Sequence, residues 1–223
     1  MASIHLQHYA DILCIWAYVA DARMLELEQQ FGAELSIESR LLSVFGNVPG
    51  KMQQNWGARG GVAGYAAHVR GIAAQHPHLA VHEHVWQHNT PQSSMPAHLY
   101  LCALRDAEQH DEVSRGTQSK FARALRAAFF SRATDIGAEA VLRAELDALG
   151  LPQRVVSARL ADGRAHAALA EDLQLAKELD IRSSPTLLFN EGRQRLSGNV
   201  GYRIIEANIR ELLEHREIGH SWC

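Results

Sequence analysis

Cys14 is the side chain in this sequence best placed to do chemistry. It lies in DILCIWAYVADARM, residues 11–24, and Ala17 stands where a second cysteine would complete a C-x-x-C redox pair. A thiolate attacks disulfides, and its availability is set by the thiol's surroundings. Residues 3–9, SIHLQHY, alternate as a strand does. From Cys14 to about Phe31 the spacing of Trp16, Val19, Leu27 and Phe31 is helical, with Gly32 as the stop. Cys14 therefore falls at a strand-to-helix junction, where unpaired N–H groups and the helix dipole favour an anion. A lowered thiol pKa is predicted. The alternative is a buried, inert thiol that acts as a small hydrophobe.

A second signal stands far along the chain, in IRSSPTLLFN, residues 181–190. Pro185 opens a strand directly after a turn, a position where its missing N–H is tolerated. An X-Pro bond such as Ser184–Pro185 is also the usual site of a cis peptide. Asp11 reads as a cap of the first helix or turn, and as a carboxylate able to shift the Cys14 pKa. Trp16 and Tyr18 read as packing beside the site or flanking a substrate. Cys102, on the apolar run AHLYLCAL, reads as core, and Cys223 ends the chain in GHSWC as an exposed free thiol or a resolving one.

These positions need elements to hold them. Residues 34–44, ELSIESRLLSV, read as a second strand, which gives β-α-β over the first 45 residues or so. A glycine-rich stretch from Gly46 to Gly64 reads as loop. GARGGVAG within it lacks the lysine ending of a phosphate loop and is expected to stay loop near the site. A short helix is predicted from Val62 to about Ala74. Residues 79–88, LAVHEHVWQH, read as a short strand or extended edge, which would put His82 and His84 on one face. No aspartate or cysteine joins them locally, so a solvated histidine-rich edge is expected and no metal site. From Pro96 to about Leu160 the chain is helical in pieces, with Phe121, Leu125, Ala128 and Phe129 forming an apolar stripe. From residue 166 the order is α-β-β-α. The whole is α/β, with 1–45 and 166–223 forming one core and 46–165 a mostly helical insertion.

The bulk composition excludes several classes. Of 223 residues, 47% are hydrophobic and 21% charged, which is ordinary globular usage. A net charge of −3 gives no reason to expect nucleic acid or an anionic membrane as partner. No apolar run is long enough for a membrane span, and MASIHLQHYADILC is not patterned as a signal peptide, so a cytoplasmic location is expected. Three scattered cysteines make neither a disulfide framework nor a zinc site. A homodimer is left open.

Together, D-x-x-C-x-W-x-Y, the helical middle and SSPTLLFN resemble the DsbA-like branch of the thioredoxin superfamily, over essentially the whole chain. That branch usually carries D-x-x-C-P-W-C-Y. Asp11, Cys14, Trp16 and Tyr18 match it; Ile15 and Ala17 depart from it. NTPQSSMPAHLYLCAL is similar to the branch's buried helix and the turn before it. The resemblance implies a thioredoxin-like core with a large α-helical insertion. It also implies a cis Pro185 facing Cys14, and Ser184 and Pro185 as the floor of a substrate groove. The relatives it points to include FrnE-like proteins, 2-hydroxychromene-2-carboxylate isomerases and kappa-class glutathione transferases.

Ala17 has no sulfur, so the motif cannot close an internal disulfide. A second thiol must come from glutathione, from Cys223 or from Cys102. Three readings follow. One is a monothiol thiol-disulfide oxidoreductase with Cys14 as nucleophile, acting on a disulfide-containing protein or glutathione, with no tightly bound cofactor and glutathione as cosubstrate. The next is a glutathione-dependent isomerase or transferase of the 2-hydroxychromene-2-carboxylate isomerase or kappa-class type, whose relatives generally carry serine at the attacking position. The last is a binding protein on a redox fold.

Overall fold

The computed structural model describes residues 4–214. Strand β1 (Ile4–Ala10) leads through a four-residue turn into helix α1 (Ile15–Phe31), and β2 (Leu35–Leu41) follows. The helical middle comprises α2 (Val48–Lys51), α3 (Gly61–Ala74), α4 (Met95–Gln109), α5 (Thr117–Arg126), α6 (Glu139–Ala148) and α7 (Gln153–Ala161). Helix α8 (Arg164–Glu178) then returns to β3 (Thr186–Phe189), β4 (Gln194–Ser197) and α9 (Tyr202–Glu214). The sheet order is β2-β1-β3-β4, with β1 and β2 parallel and the other neighbours antiparallel. No helix among the described residues is long and apolar enough to cross a membrane.

Alternation in β1 divides its side chains between the two sheet faces. Ile4 and Leu6 pack with Met24, Leu27 and Phe31 of α1 and with Ile205, Ile209 and Leu212 of α9. Tyr9 lies on the opposite face with Leu188 and with Ala176 and Ile181, at and just after α8. Helix α8 is tied to the sheet by Asp172, which is fully buried. Its carboxylate accepts from Arg40 at 2.9 Å, from Arg105 at 2.8 and 2.9 Å, and from the Leu41 N–H at 3.0 Å. The predicted stripe Phe121, Leu125, Ala128 and Phe129 is wholly buried. It belongs to a single apolar cluster that also takes in Ile12 to Ala17, Phe45, Tyr65 and Trp86. The elbow bearing Cys14 is thus packed into the helical middle as well as onto the sheet.

Three local expectations are corrected. The second strand stops at Leu41 rather than running to residue 44, because the chain turns inward and the Phe45 N–H is captured by the Asp11 carboxylate at 2.8 Å. The glycine-rich stretch is largely helical: α2 continues through wider and tighter turns to Arg59, and α3 starts at Gly61. Its glycines serve a close approach. Gly60 adopts φ +87°, and a Cβ on Gly64 would sit 1.8 Å from the Arg59 carbonyl oxygen. Residues 79–88 form turns, not a strand. Their backbone is satisfied locally and from afar: the His84 N–H donates to His82 Nδ1 at 3.1 Å, and the His82 N–H donates to the Phe130 carbonyl at 2.7 Å.

Candidate active site

Cys14 is the residue that caps α1, with extended backbone (φ −80°, ψ 120°). Its own N–H donates to the Asp11 carbonyl at 3.1 Å, and its carbonyl accepts from the N–H groups of Ala17 and Tyr18 at 3.1 and 3.2 Å. Its Sγ donates to the Ser184 carbonyl at 3.2 Å, across the turn that holds a cis Ser184–Pro185 bond. The same turn is fixed twice more. The Asp11 N–H donates to Ser184 Oγ at 2.9 Å, and the Gly198 N–H donates to the Pro185 carbonyl at 2.8 Å. Two segments 170 residues apart in sequence thus meet at one sulfur.

The electrostatics reverse one expectation. Cys14 is only 7% exposed, and burial pushes its thiol up from the ordinary value. The Ser184 hydroxyl and the N–H groups of Ala17 and Trp16 pull the other way, while the Asp11 charge adds to the rise. The predicted lowering at a helix N-terminus is present as a contribution but is outweighed by desolvation. The thiol form is favoured again by its bond to the Ser184 carbonyl.

Asp11 does not bond to Cys14 through its carboxylate. Fully buried, it accepts from the Leu13 N–H at 2.9 Å, the Phe45 N–H at 2.8 Å and Ser94 Oγ at 3.0 Å. Trp16 is half-buried, with its ring edge-on to His76 at 6.1 Å. Tyr18 stacks on Phe130, ring centroids 4.9 Å apart, and donates its hydroxyl to the Ala80 carbonyl at 3.2 Å. Cys14, Trp16, Ser184 and Pro185 are therefore brought together, and Tyr18 is engaged with the helical middle. Ala17 is fully buried beside Cys14. Cys102 is also fully buried, with its thiol pushed up to about 12 by burial. Cys223 lies outside the described residues.

Two residues of the site were not foreseen. His98, fully buried on α4, accepts the Ile12 N–H on Nε2 at 3.2 Å and lies 3.7 Å from Asp11 Oδ1. Burial lowers its pKa, against the pull of Asp11, so it is held neutral. Tyr65, on α3, is raised well above its ordinary value by burial, then by the charges of Cys14 and Asp11. A single histidine inside the apolar run MPAHLYLCAL was the available sequence signal for the first; nothing in the sequence marked the second. No group of three or more His, Cys, Asp or Glu among the described residues is arranged to hold a metal. A small cavity of about 30 Å³ lies elsewhere, lined by His8, Asp21, Ser39 and Arg126, and Cys14 does not border it.

A sequence model of the DSBA-like thioredoxin domain matches residues 5–210. No curated protein matches the chain. Among solved structures, a Nitrosomonas europaea protein carrying a provisional protein disulfide isomerase name superposes with a TM-score of 0.76 at 16% identity, over 95% of this chain and 98% of the other. The cytosolic disulfide reductase DsbM from Pseudomonas aeruginosa gives 0.67 at 18% identity, over 92% and 98%. A 2-hydroxychromene-2-carboxylate isomerase gives 0.65 at 14% identity, over 97% and 100%. At such identities the likeness is one of fold, and that fold carries both thiol-disulfide exchange and isomerisation.

Proposed function

Because the chain belongs to the DSBA-like thioredoxin domain family, we propose that it is a monothiol thiol-disulfide oxidoreductase with Cys14 as nucleophile and glutathione or a similar small thiol as resolving partner. The observation that carries this is the placement of the Cys14 sulfur at the head of α1, 3.2 Å from the carbonyl before cis Pro185, with no second sulfur at position 17.

The chemistry divides into two exchanges. The Cys14 thiolate attacks one sulfur of a substrate disulfide, forms a mixed disulfide and expels the other sulfur as a thiolate, which takes a proton from solvent. A first glutathione thiolate then attacks the mixed disulfide, releasing either the substrate thiol or Cys14; a second completes the cycle. Two glutathiones leave as one glutathione disulfide, and one substrate disulfide leaves as two thiols. The Ser184–Pro185 turn supplies backbone groups against which an extended peptide or glutathione can align. Ser184 Oγ and the first N–H groups of α1 stabilise Cys14 whenever it is the leaving thiolate.

Cys223, another thiol the sequence offers as a resolving partner, lies outside the described residues. Use of a diffusible thiol places the reaction in a reducing compartment, the cytoplasm.

The raised Cys14 pKa favours one other reading, that glutathione is bound for isomerisation of a small molecule and the thiol is not turned over. Mass spectrometry after treatment with glutathione disulfide separates them. One adduct on Cys14, removed by reduced glutathione and absent from Cys14→Ser, is expected. Absence of the adduct, with a glutathione-dependent isomerase activity that survives Cys14→Ala, overturns the redox reading.

A further inference from the structure

The segment that walls the Cys14 site is electrostatically unlike the rest of the chain. Residues 46–104 contain Lys51, Arg59 and Arg70 against one acid, Glu83, a net of +2 in a protein of net −3. The remainder of the chain therefore carries −5. The same segment holds seven of the 13 histidines, side chains that are neutral or cationic but never anionic. Its single carboxylate, Glu83, lies 3.7 Å from His84 Nε2.

Aromatic contacts link several of these groups to side chains that pack in the same cluster as Cys14. Phe45, whose N–H is held by Asp11, carries Lys51 4.9 Å over its ring. Tyr65 packs on Phe45 at 5.7 Å and on Trp56 at 5.0 Å. Trp56 in turn bears the Arg59 guanidinium at 5.5 Å and the His68 ring at 5.1 Å. On the other flank, Trp16 meets His76 at 6.1 Å. A cation lying on an aromatic face is positioned without being neutralised, and a guanidinium there keeps N–H edges free for a carboxylate. On the segment leading into the cis-proline turn, the acid Asp180 is already paired with Arg182 at 2.6 Å. Asp11, the acid closest to Cys14, is buried and satisfied by three donors.

We propose that this aromatic-backed basic rim, with Arg59 and Lys51 as its charged members and His68 and His76 beside them, selects small anionic thiols and disulfides for Cys14 over neutral or cationic ones. The inference rests on the monothiol reading and adds the substrate's charge class. Each exposed pairing is modest, worth a few-fold in rate. Two or more acting on a substrate with two carboxylates give an order of magnitude or so.

The test is the second-order rate of mixed-disulfide formation at Cys14 with glutathione disulfide (anionic), 2-hydroxyethyl disulfide (neutral) and cystamine (cationic). Each rate is divided by that of a free small thiol with the same disulfide, to remove intrinsic reactivity. The expected order is anionic, neutral, cationic, with about tenfold between the ends at low salt. The spread should collapse in 1 M salt, where the screening length falls to about 3 Å. Arg59→Gln should reduce the ratio of the anionic to the neutral rate by about twofold or more. Similar normalised rates for all three, or a cationic preference, overturn the charge selection while leaving the monothiol reaction standing. No reaction of Cys14 with any of them overturns the monothiol reading and the selection with it.

Discussion

Raising the pH from 7 to 10 is expected to accelerate alkylation of Cys14 by iodoacetamide steadily, without a plateau below pH 9. Only the thiolate reacts, so the rate follows the thiolate fraction. A thiol of pKa 9 is about 1% thiolate at pH 7 and about 10% at pH 8. Burial pushes Cys14 above its reference value of 9.0, so its fraction at pH 7 is smaller still and climbs about tenfold per pH unit. The assay is intact-protein mass spectrometry on a Cys223→Ser background, read at intervals from pH 6 to 10. Cys102, fully buried and pushed up to about 12, serves as an internal control that stays unmodified. Stability carries the same sign. A raised folded-state pKa means the contribution is whole below the unfolded value and is lost as pH rises through the folded one, so unfolding becomes easier above about pH 9. Cys14→Ser should show less of that alkaline loss. A rate already level by pH 8 would mean that the head of α1 and the Ser184 hydroxyl outweigh desolvation, and would refute the reasoning.

Three further outcomes are expected. His8 is buried and its pKa is pushed down to about 3, chiefly by desolvation and then by Arg126. Stability is therefore full above its unfolded value of 6.5 and falls below it, by roughly 2–3 kcal/mol between pH 6.5 and 4.5; urea melts of His8→Leu should be flatter over that range, and an equal slope would remove His8 from the account. Asp172→Asn leaves the guanidinium groups of Arg40 and Arg105 facing a neutral amide, a loss of about 3–5 kcal/mol that lowers Tm by about 10 °C; a calorimetric shift under about 2 °C would contradict it. Ala17→Cys restores a sulfur one helical turn from Cys14, at some overpacking cost because Ala17 is fully buried. Its oxidised form should lose both thiols to titration, and two thiols that persist after oxidation would show the pair cannot close.

The ends of the chain were legible and the middle was less so. Strands at residues 4–10 and 186–189 alternate or run apolar and are bounded by turns, and the helices at 15–31, 164–178 and 202–214 carry clear stripes. The meeting of Cys14 with the Ser184–Pro185 turn was legible only through the family resemblance of the two motifs, since neither motif alone marks the other as its neighbour. The stretch 79–88 misled because alternating histidine and valine satisfies a strand pattern. The structure satisfies it instead with a ring nitrogen of His82 accepting the His84 N–H. The glycines of 46–64 misled because composition cannot distinguish a glycine needed for flexibility from one, like Gly64, needed for a close approach to a carbonyl. The sign of the Cys14 shift was hidden for a different reason. The helix start can be read locally, but desolvation depends on Tyr65, Phe45 and their neighbours, which come from distant sequence.

The three bonds to the Asp11 carboxylate have a consequence for how the protein meets its substrate. One carboxylate holds the elbow at Leu13, the exit of β2 at Phe45 and the head of α4 at Ser94. The elbow before α1 and the wall formed by the exit of β2 and the head of α4 are thus joined through one buried group. On the monothiol reading, this arrangement is held before a substrate arrives, so little binding energy is consumed in assembling it. On that reading, encounter and ionisation of Cys14 are the steps left to govern the rate.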